Sequence, residues 1–348
     1  MTLLEIDGSF GEGGGQTIRI ATSFAVILNQ PIHVTHVRAG RRIPGLRPQH
    51  ATTLRILREI CGGTLEGGNI GSTEFTFTPG KPESRSMTVD MGTAASVTLA
   101  LQAIIPAISL SGSTLDLELI GGTDVPWSPT CDYFSSVFSE SLKLLGVVFS
   151  LEVLRRGYYP SGGGKVRVRI EPCKKVSAVN LDERTEDPPI SIVSRAGMLP
   201  ERVAEQQLSS ATSQLERNGL YPAVKSVKME ESSSPGSSIL VSAVGASCFI
   251  GADSIGARSK PAFKVGSEAG LTFARVFNTK TCVDPHLADM LSPLLFLADS
   301  PSTLLTPEMS GHLRSSLHVA KLFIPGEYST EAKDGSCLIS ITPPHQNS

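Results

Sequence analysis

The stretch Leu3-Leu4-Glu5-Ile6-Asp7-Gly8 leads into the turn Gly11-Glu12-Gly13-Gly14-Gly15-Gln16. Apolar residues at helical spacing follow the turn, at Ile18, Ala21, Phe24, Ala25 and Leu28. This order of strand, glycine turn and helix predicts free backbone N–H groups at a helix N-terminus, where phosphate or carboxylate binds. The turn lacks the Gly-Lys-Ser/Thr of a Walker loop and the glycine spacing of a dinucleotide fingerprint. Taken alone, it is equally well explained as a tight turn.

The composition narrows the possible classes of protein. The chain has 348 residues, 40% of them hydrophobic, which is enough for two or more domains with a real core. A net charge of −2 leaves no global basic field, so any contact with nucleic acid must be local. The six cysteines include no Cys-x-x-Cys pair, which predicts free thiols and no structural zinc. Neither a secretory signal nor an apolar run of ~18 residues is present, so we expect no membrane partner.

Strand-like and helix-like patterns alternate along the chain. The runs 115–119 and 166–170 alternate like strands, whereas 96–108 and 134–145 have helical patterns. These elements recur in units of roughly 60–80 residues, which predicts an α/β (α+β) fold of stacked small modules.

The composition shifts near the acidic and proline-rich segment 182–189. A self-contained pattern of strands and helices follows it. We therefore expect an inserted domain at 183–281, a main domain made of 1–182 and 282–342, and a short tail at 343–348.

Charged residues cluster in and after the glycine turn. Glu12 is a carboxylate inside a turn that attracts anions, so it is a candidate Mg²⁺ ligand, although a solvated turn residue is the alternative. Segment 38–47 carries four arginines and no acidic residue, and its Gly and Pro residues make it a loop. Arginines on a loop suit a bidentate grip on phosphates, and Arg19 could join them; a solvated basic loop is the alternative.

His312 is the candidate nucleophile. If Ser310 caps the helix that starts here, His312 lies in its first turn, where the positive helix end disfavours the imidazolium. A neutral imidazole beside a phosphate-attracting site can attack phosphorus. A histidine satisfied in the core or exposed to solvent is the alternative. The loop 121–129 holds the only tryptophan, Trp127, and forms either a pocket rim or a packed loop.

Five motifs in this order resemble the RNA 3′-terminal phosphate cyclases. They are segment 7–19, segment 38–50, Gly121-Gly122-Thr123, Gly157-Tyr158-Tyr159-Pro160-Ser161-Gly162-Gly163-Gly164, and Gly311-His312-Leu313 with the segment up to Pro325. The likeness runs from residue 3 to about 325 and is loose in the predicted insert.

The resemblance implies a fold and an activity. The family fold has three βαβαββ-type modules, each a four-stranded sheet with two helices, and a smaller inserted α/β domain of thioredoxin-like arrangement. The family enzymes are ligases that form a phosphoric ester bond. They use ATP and Mg²⁺ or Mn²⁺ to convert an RNA 3′-phosphate into a 2′,3′-cyclic phosphodiester, through a covalent histidine–AMP and an RNA-(3′)pp(5′)A end.

The resemblance also implies roles for individual residues. His312 matches the nucleophile and Glu12 the metal-linked carboxylate. The ATP pocket is matched by Gln102, Pro129, His286, Leu287, Ala288, Asp289 and Met290, with Asp289 expected beside His312. The site for the RNA 3′-phosphate is matched by Arg19, Arg38, Arg41 and Gln49.

The chain departs from the family pattern in the ATP pocket. Met290 stands where glutamine is common, and His286 where tyrosine is common; Val125 and Trp127 are unusual in their loop. One alternative function is that of a non-catalytic, cyclase-like protein of ribosomal RNA processing, but such relatives lack the histidine and have an eroded glycine turn. An enolpyruvyl transferase of related module architecture is a weaker alternative. We expect a nuclear (nucleoplasmic) or cytosolic location, an RNA end as partner, and no obligate protein partner.

Overall fold

The structure is a computed structural model, and it describes residues 2–344. The first sheet contains β1 (Leu4–Asp7), β2 (Ile32–Thr35), β3 (Thr64–Glu66) and β4 (Phe75–Thr78), with helix α1 (Gly15–Ile27) after β1 and helix α2 (Pro48–Cys61) after β2. Its strand order is β1-β2-β4-β3, and only β1 and β2 pair in parallel. The glycine turn therefore leaves the sheet at the carboxyl end of β1 and enters α1.

The second sheet follows directly. It contains β5 (Arg85–Asp90), β6 (Leu115–Gly121), β7 (Phe149–Arg155) and β8 (Gly164–Ile170), in the order β5-β6-β8-β7. Helix α3 (Val97–Leu110) follows β5, and a helical stretch follows β6, made of α4 (Cys131–Tyr133), a π-helical turn (Phe134–Phe138) and α5 (Ser139–Leu144). The predicted alternation in β6 is confirmed, because Leu115, Leu117 and Leu119 are fully buried.

A separate unit follows the short strand β9 (Asn180–Leu181). It contains β10 (Ser191–Gly197), helix α6 (Arg202–Arg217), β11 (Val224–Met229), β12 (Gly236–Val244), β13 (Phe249–Ile255) and helix α7 (Ala262–Phe277). The strand order is β11-β10-β12-β13. This unit has its own hydrophobic core, which lies within 190–277. The boundaries 183–281 of the inserted domain stay a prediction, and this second core lies inside them.

The chain then returns to β9 and completes the last sheet. The remaining elements are α8 (Pro285–Leu291), a 3₁₀ helix (Ser292–Leu297), β14 (Ser302–Thr306), α9 (Gly311–Phe323), β15 (Glu327–Lys333) and β16 (Ser336–Thr342). The strand order is β15-β16-β14-β9. Residues 345–348 of the predicted tail lie outside the described residues.

All four sheets contain both parallel and antiparallel neighbours, so the predicted α/β fold class is confirmed. The main core is shared by the other three sheets, and α1 packs against both α3 and α9 within it. This packing brings the starts of α1 and α9 together, although they are almost 300 residues apart in the sequence. Within residues 2–344, no helix is long and apolar enough to cross a membrane.

Candidate active site

The glycine turn packs directly against the arginine-rich loop. Gly11 and Gly13 have φ of +67° and +51°, which favours glycine. A Cβ on Gly13 would lie 2.7 Å from the backbone nitrogen of Gly40, so no side chain fits there. Helix α1 begins at Gly15 after the N-cap Gly14, and no side chain caps it. The first N–H groups of α1 are therefore available to an anion.

The two arginines of this loop that the sequence singles out make different contacts. Arg41 Nη2 lies 3.2 Å from Glu12 Oε2, so it ties the loop to the glycine turn. Arg38 Nη1 donates to the carbonyl oxygens of Ile43, at 2.9 Å, and Gly45, at 3.0 Å. Arg38 thus holds the shape of its own loop. Burial, with the charges of neighbouring arginines, lowers its pKa.

Arg19 lies beneath the glycine turn, on the first turns of α1. It donates to Gln16 Oε1, and its Nε is buried without a partner among residues 2–344. Burial lowers the pKa of Arg19 to about 10, and the charge of Arg41 contributes. Gln49, on α2, lines the same small cavity as Arg19. An unpartnered guanidinium N–H beside a second cation is a favourable place for an anion.

His50 is a residue of this region that sequence reasoning missed. Its side chain is buried, and its Nδ1 accepts a hydrogen bond from the backbone N–H of Arg47 at 3.2 Å. Burial, together with nearby arginine charges, lowers its pKa to about 3, so the ring is neutral. The available signal was its spacing, because residue 50 shares the buried face of α2 with Leu54 and Leu57.

His312 lies in the first turn of α9, as the sequence predicts. Ser310 is the N-cap and accepts a hydrogen bond from the backbone N–H of Leu313 at 2.9 Å. The half-buried imidazole has its Nε2 3.3 Å from Glu12 Oε2. Burial lowers the pKa of His312, the Arg19 and Arg41 charges lower it further, and Glu12 opposes them. The ring is therefore neutral near pH 7 and has a lone pair available.

Asp289 reaches His312 indirectly. Its Oδ1 accepts a hydrogen bond of 2.6 Å from Ser310 Oγ, and its backbone carbonyl accepts one from Gln16 Nε2 at 3.3 Å. The carboxylate thus fixes the cap of α9 and contacts the glycine-turn helix through its main chain. Burial raises the pKa of Asp289 to about 7. Asp289 and His312 line the same cleft, and the hydrogen bond from Ser310 connects the Asp289 carboxylate to the N-cap of the helix that carries His312.

A cleft of about 600 Å³ opens beside His312. The predicted site residues on its walls are Arg19, Gln102, Pro129, His286, Asp289, Met290 and His312. Leu287 and Ala288 are fully buried in the core behind α8 and do not line the cleft among the described residues. The opposite wall is contributed by the separate unit, through residues 251–260. This volume is in the range of small-molecule sites.

Gln102 and Met290 meet in the interior of this cleft. Gln102 Nε2 donates to Met290 Sδ at 2.9 Å, and Gln102 Oε1 is buried without a partner among residues 2–344. A buried acceptor without a partner is satisfied when a ligand brings a donor. Tyr133 and Met290 supply buried apolar surface nearby.

Apart from the buried Leu287 and Ala288, the predicted site residues fall into two connected groups. One group lines the cleft, and the other surrounds the glycine turn: Glu12, Arg38, Arg41 and Gln49. Arg19 and His312 connect the two groups, because both line the cleft and the charge of Arg41 lowers the pKa of both side chains. In the part of the chain that the structure describes, no three or more His, Cys, Asp or Glu side chains form a metal-binding cluster. Glu12 is the one acidic residue of the turn.

Comparison with known proteins shows the family that this chain resembles. The family model described as RNA 3′-terminal phosphate cyclase matches residues 10–330. The chain is 36% identical to the RNA 3′-terminal phosphate cyclase of Pyrobaculum aerophilum, with 97% of each chain covered. It is 38% identical to the protein of that name from Methanopyrus kandleri, with 99% of each covered. Among solved structures, the match to EPSP synthase from Acinetobacter baumannii covers 97% of this chain and 64% of the synthase chain. The two sequences are 12% identical, and the TM-score is 0.27.

Proposed function

The chain belongs to the RNA 3′-terminal phosphate cyclase family, and from this premise we propose that it uses ATP to convert an RNA 3′-phosphate into a 2′,3′-cyclic phosphodiester. The observation that carries the proposal is the position of His312. A neutral imidazole at a helix N-terminus shares one cleft with Arg19 and lies next to Glu12. A phosphomonoester is a poor electrophile with a poor leaving group, so activation with AMP is the chemical requirement.

In the first step, a nitrogen of His312 attacks the α-phosphorus of ATP. A phosphorus–nitrogen bond forms, the bond between the α-phosphorus and the bridging oxygen breaks, and pyrophosphate leaves with the electron pair. The lowered pKa of His312 supports this role, because only the neutral ring has the required lone pair. The positive end of α9 and Arg19 favour the charge that gathers on the phosphate oxygens.

In the next two steps, the AMP is transferred and then released. An oxygen of the RNA 3′-phosphate attacks the phosphorus of histidine–AMP, the phosphorus–nitrogen bond breaks, and RNA-(3′)pp(5′)A forms. The neighbouring 2′-hydroxyl then loses its proton and attacks the activated 3′-phosphorus. AMP leaves, and the cyclic phosphodiester remains. We assign binding of the RNA 3′-phosphate to Arg19, Arg38, Arg41 and Gln49, with Arg38 acting mainly by holding the loop.

The cleft fits a nucleotide. We assign the ATP pocket to Gln102, Pro129, His286, Asp289 and Met290, with Leu287 and Ala288 behind them as support. The partnerless Gln102 Oε1 suits the amino group of adenine. A single carboxylate, Glu12, fits a Mg²⁺ or Mn²⁺ that arrives on the ATP phosphates, because such ions keep phosphate and water as most of their ligands. When bound, the ion would supply charge neutralisation at the phosphates.

We further propose a repeated architecture. Three sheets share the strand order first, second, fourth, third, which supports three copies of a βαβαββ module. The unit with its own core would then be the inserted domain, 183–281, of thioredoxin-like arrangement. A location in the nucleus or the cytosol is consistent with an RNA substrate. The non-catalytic alternative is disfavoured because His312 and the glycine turn are both present.

The test is covalent labelling. We expect ATP labelled at the α-phosphate to label the protein in the presence of Mg²⁺, through an acid-labile and alkali-stable bond. His312→Ala is expected to abolish labelling while the circular dichroism spectrum is unchanged, and His318→Ala on the same helix is the matched control. Labelling that survives His312→Ala would overturn the assignment. A labelled protein that fails to cyclise a 3′-phosphorylated oligoribonucleotide would mean another acceptor.

A further inference from the structure

Trp127 is the only tryptophan of the chain, and it is exposed where such a residue is normally buried. Its side chain is 94% exposed, and it lies on the wall of the cleft that contains His312. Large aromatic side chains bury most of their surface in folded proteins. Single exposed apolar residues are common on protein surfaces, so it is the position of this indole on the cleft wall that points to a function.

The backbone holds Trp127 in an unusual conformation. Its φ is +63°, in the left-handed region that bulky residues rarely adopt. The loop is fixed on both sides of it. Ser128 Oγ donates to the Val125 carbonyl at 2.8 Å, and the Pro129 carbonyl accepts from Thr98 Oγ1 at 2.8 Å. Such strain persists only where the surrounding structure imposes it, and it is concentrated at functional sites.

The anchoring continues beyond the proline. The backbone N–H of Thr130 donates to Asp253 Oδ2, on β13, at 2.7 Å. Val125, on the other side of the indole, is buried. The exposed ring is thus attached to a rigid base rather than to a mobile tip, and it is presented to the cleft without a large entropic cost on binding.

We infer that Trp127 is a stacking platform for the terminal nucleobase of the RNA whose 3′-phosphate is processed. This inference rests on the proposed function. The choice of occupant follows from exposure. A site holds a small nucleotide by burying most of the nucleotide's surface. The interior of the cleft around Gln102 and Met290 provides such a buried place. An open indole covers only one face of a base, which suits the end of a polymer that enters from solvent.

Stacking has a further consequence for specificity. Every base has an aromatic face, so the platform accepts any terminal nucleotide and adds affinity without reading sequence. The arginine loop likewise contacts a phosphate, which carries no base information. We therefore expect the enzyme to require a base at the RNA end but to tolerate all four.

The single tryptophan makes the inference directly measurable. A 3′-phosphorylated oligoribonucleotide, added without ATP, is expected to quench the tryptophan fluorescence of the wild-type protein. The same oligonucleotide with an abasic terminal nucleoside is expected to cause no quenching and to bind about 5- to 100-fold more weakly, the range that base–aromatic stacking supports. Trp127→Ala should lose affinity for the normal end by the same factor and should no longer distinguish the two ends.

Three controls separate this inference from other outcomes. Trp127→Phe should recover much of the affinity, and Tyr221→Ala, which alters an exposed aromatic residue of the separate unit outside the described cleft lining, should bind RNA normally. Self-labelling of Trp127→Ala with ATP should proceed at the wild-type rate, whereas failure of labelling in the wild type would refute the proposed function instead. Two results together would overturn the RNA platform. In the wild type, ATP alone would quench the tryptophan fluorescence; Trp127→Ala would need more ATP but bind RNA as tightly as the wild type.

Discussion

Glu12 lies within ion-pair distance of two basic side chains, Arg41 and His312. It pairs with Arg41 at 3.2 Å and approaches His312 Nε2 at 3.3 Å. Arg41 lowers the pKa of His312, after burial and Arg19, while Glu12 raises it. The imidazole of His312 is therefore kept neutral by burial and by nearby cations, not by one contact. This balance can be altered at a single residue.

Replacing Arg41 should move the acid limit of self-adenylylation. In the wild type, the labelling rate is expected to fall as the pH drops through the pKa of His312, which lies below its ordinary 6.5. Arg41→Ala removes a nearby cation and leaves Glu12 without its partner Arg41, and each change raises the pKa of His312. The labelling rate of this variant should therefore fall at a higher pH than that of the wild type. Arg42→Ala, an exposed neighbour in the same loop, should leave the midpoint in place. An identical midpoint in both variants would contradict the argument.

The raised pKa of Asp289 predicts that the stability of the protein depends on pH. Burial raises its pKa from an ordinary 3.8 to about 7, so the folded protein holds this proton more tightly than the unfolded chain. The folded state is therefore favoured at low pH by this group, and that contribution is lost as the pH rises from about 4 to about 7. Asp289→Asn keeps an oxygen to accept from Ser310 and removes the charge.

Urea unfolding between pH 4 and pH 8 measures this effect. The free energy of unfolding of Asp289→Asn relative to the wild type should increase with pH across this window, by up to a few kcal/mol, since one pKa unit corresponds to about 1.4 kcal/mol. Above pH 8 the difference should be constant. A difference that does not change with pH would mean that Asp289 is ionised throughout.

At the level of single residues, the sequence predicted which side chains the fold brings near His312 better than it predicted their contacts. Ser310 before Gly311 and His312 was a readable cap signal, and the structure has that cap. The internal hydrogen bonds of Arg38 depend on the fold of its loop. His50 was missed because its spacing marks it only as a buried residue of α2, and its closeness to Arg19 depends on the fold.

The cap at the start of α9 holds the helical turn that contains His312. Ser310→Ala removes the acceptor for the Leu313 N–H and the donor to Asp289, which should lower the free energy of unfolding by about 1 kcal/mol. It should also slow self-adenylylation, because His312 lies in the turn that frays. Ser96→Ala at α3 is the control, since Ser96 caps by the same contact, with Leu99 N–H at 3.2 Å. It should cost similar stability and leave labelling unchanged.

Gly311, the first residue of α9, leaves space for Glu12. A Cβ at this position would collide with the Glu12 carboxylate. Gly311→Ala should not harm the helix, because alanine has the better helix propensity. We expect its melting temperature to be equal to or above that of the wild type, while labelling requires more Mg²⁺ because the carboxylate is displaced. Normal labelling at low Mg²⁺ would show that Glu12 does not hold the metal from this position.

Elements with strong hydrophobic patterns were predictable, whereas one edge strand and one irregular helical turn were not. The alternation in 115–119 and the helical pattern in 96–108 predicted β6 and α3 to within a few residues of their observed bounds. The edge strand β5 was missed although its side chains alternate between partly buried and exposed, because only Met87 and Val89 on its inner side are apolar. The π-helical turn at Phe134–Phe138 carries an ordinary helical pattern. Its extra residue per turn depends on tertiary packing, which the local sequence does not encode.

For the whole molecule, the cleft has walls from both the main core and the separate unit. Two groups of buried polar contacts join these parts. Asp284, the N-cap of α8, accepts hydrogen bonds from Tyr133 OH and from the backbone N–H of Gly251, each at 2.9 Å. Asp132 pairs with Arg156 at 3.1 Å and with Arg195, on β10, at 2.7 Å. No sequence pattern pairs residues so distant, and only the fold brings them together.

Arg195 is therefore expected to affect the cleft although it lies outside it. Arg195→Met removes one cation from a buried pair and leaves Asp132 bound to Arg156 alone, which should destabilise the attachment of the separate unit by about 1–3 kcal/mol. Because residues 251–260 form one wall of the cleft, the KM for ATP should rise several-fold, with little change in the rate at saturating ATP. Lys225→Met, an exposed cation on β11, is the matched control and should change neither quantity.

Limited proteolysis distinguishes this effect from general destabilisation. Loosening of the unit in Arg195→Met should speed cleavage in the connecting segment 182–189 before the main core unfolds, and saturating ATP should slow that cleavage, because ATP bound between the two walls holds them together. A variant that is cleaved faster at this segment but keeps the wild-type KM for ATP would show that the separate unit is not needed to bind the nucleotide. The wall at 251–260 would then serve only the RNA.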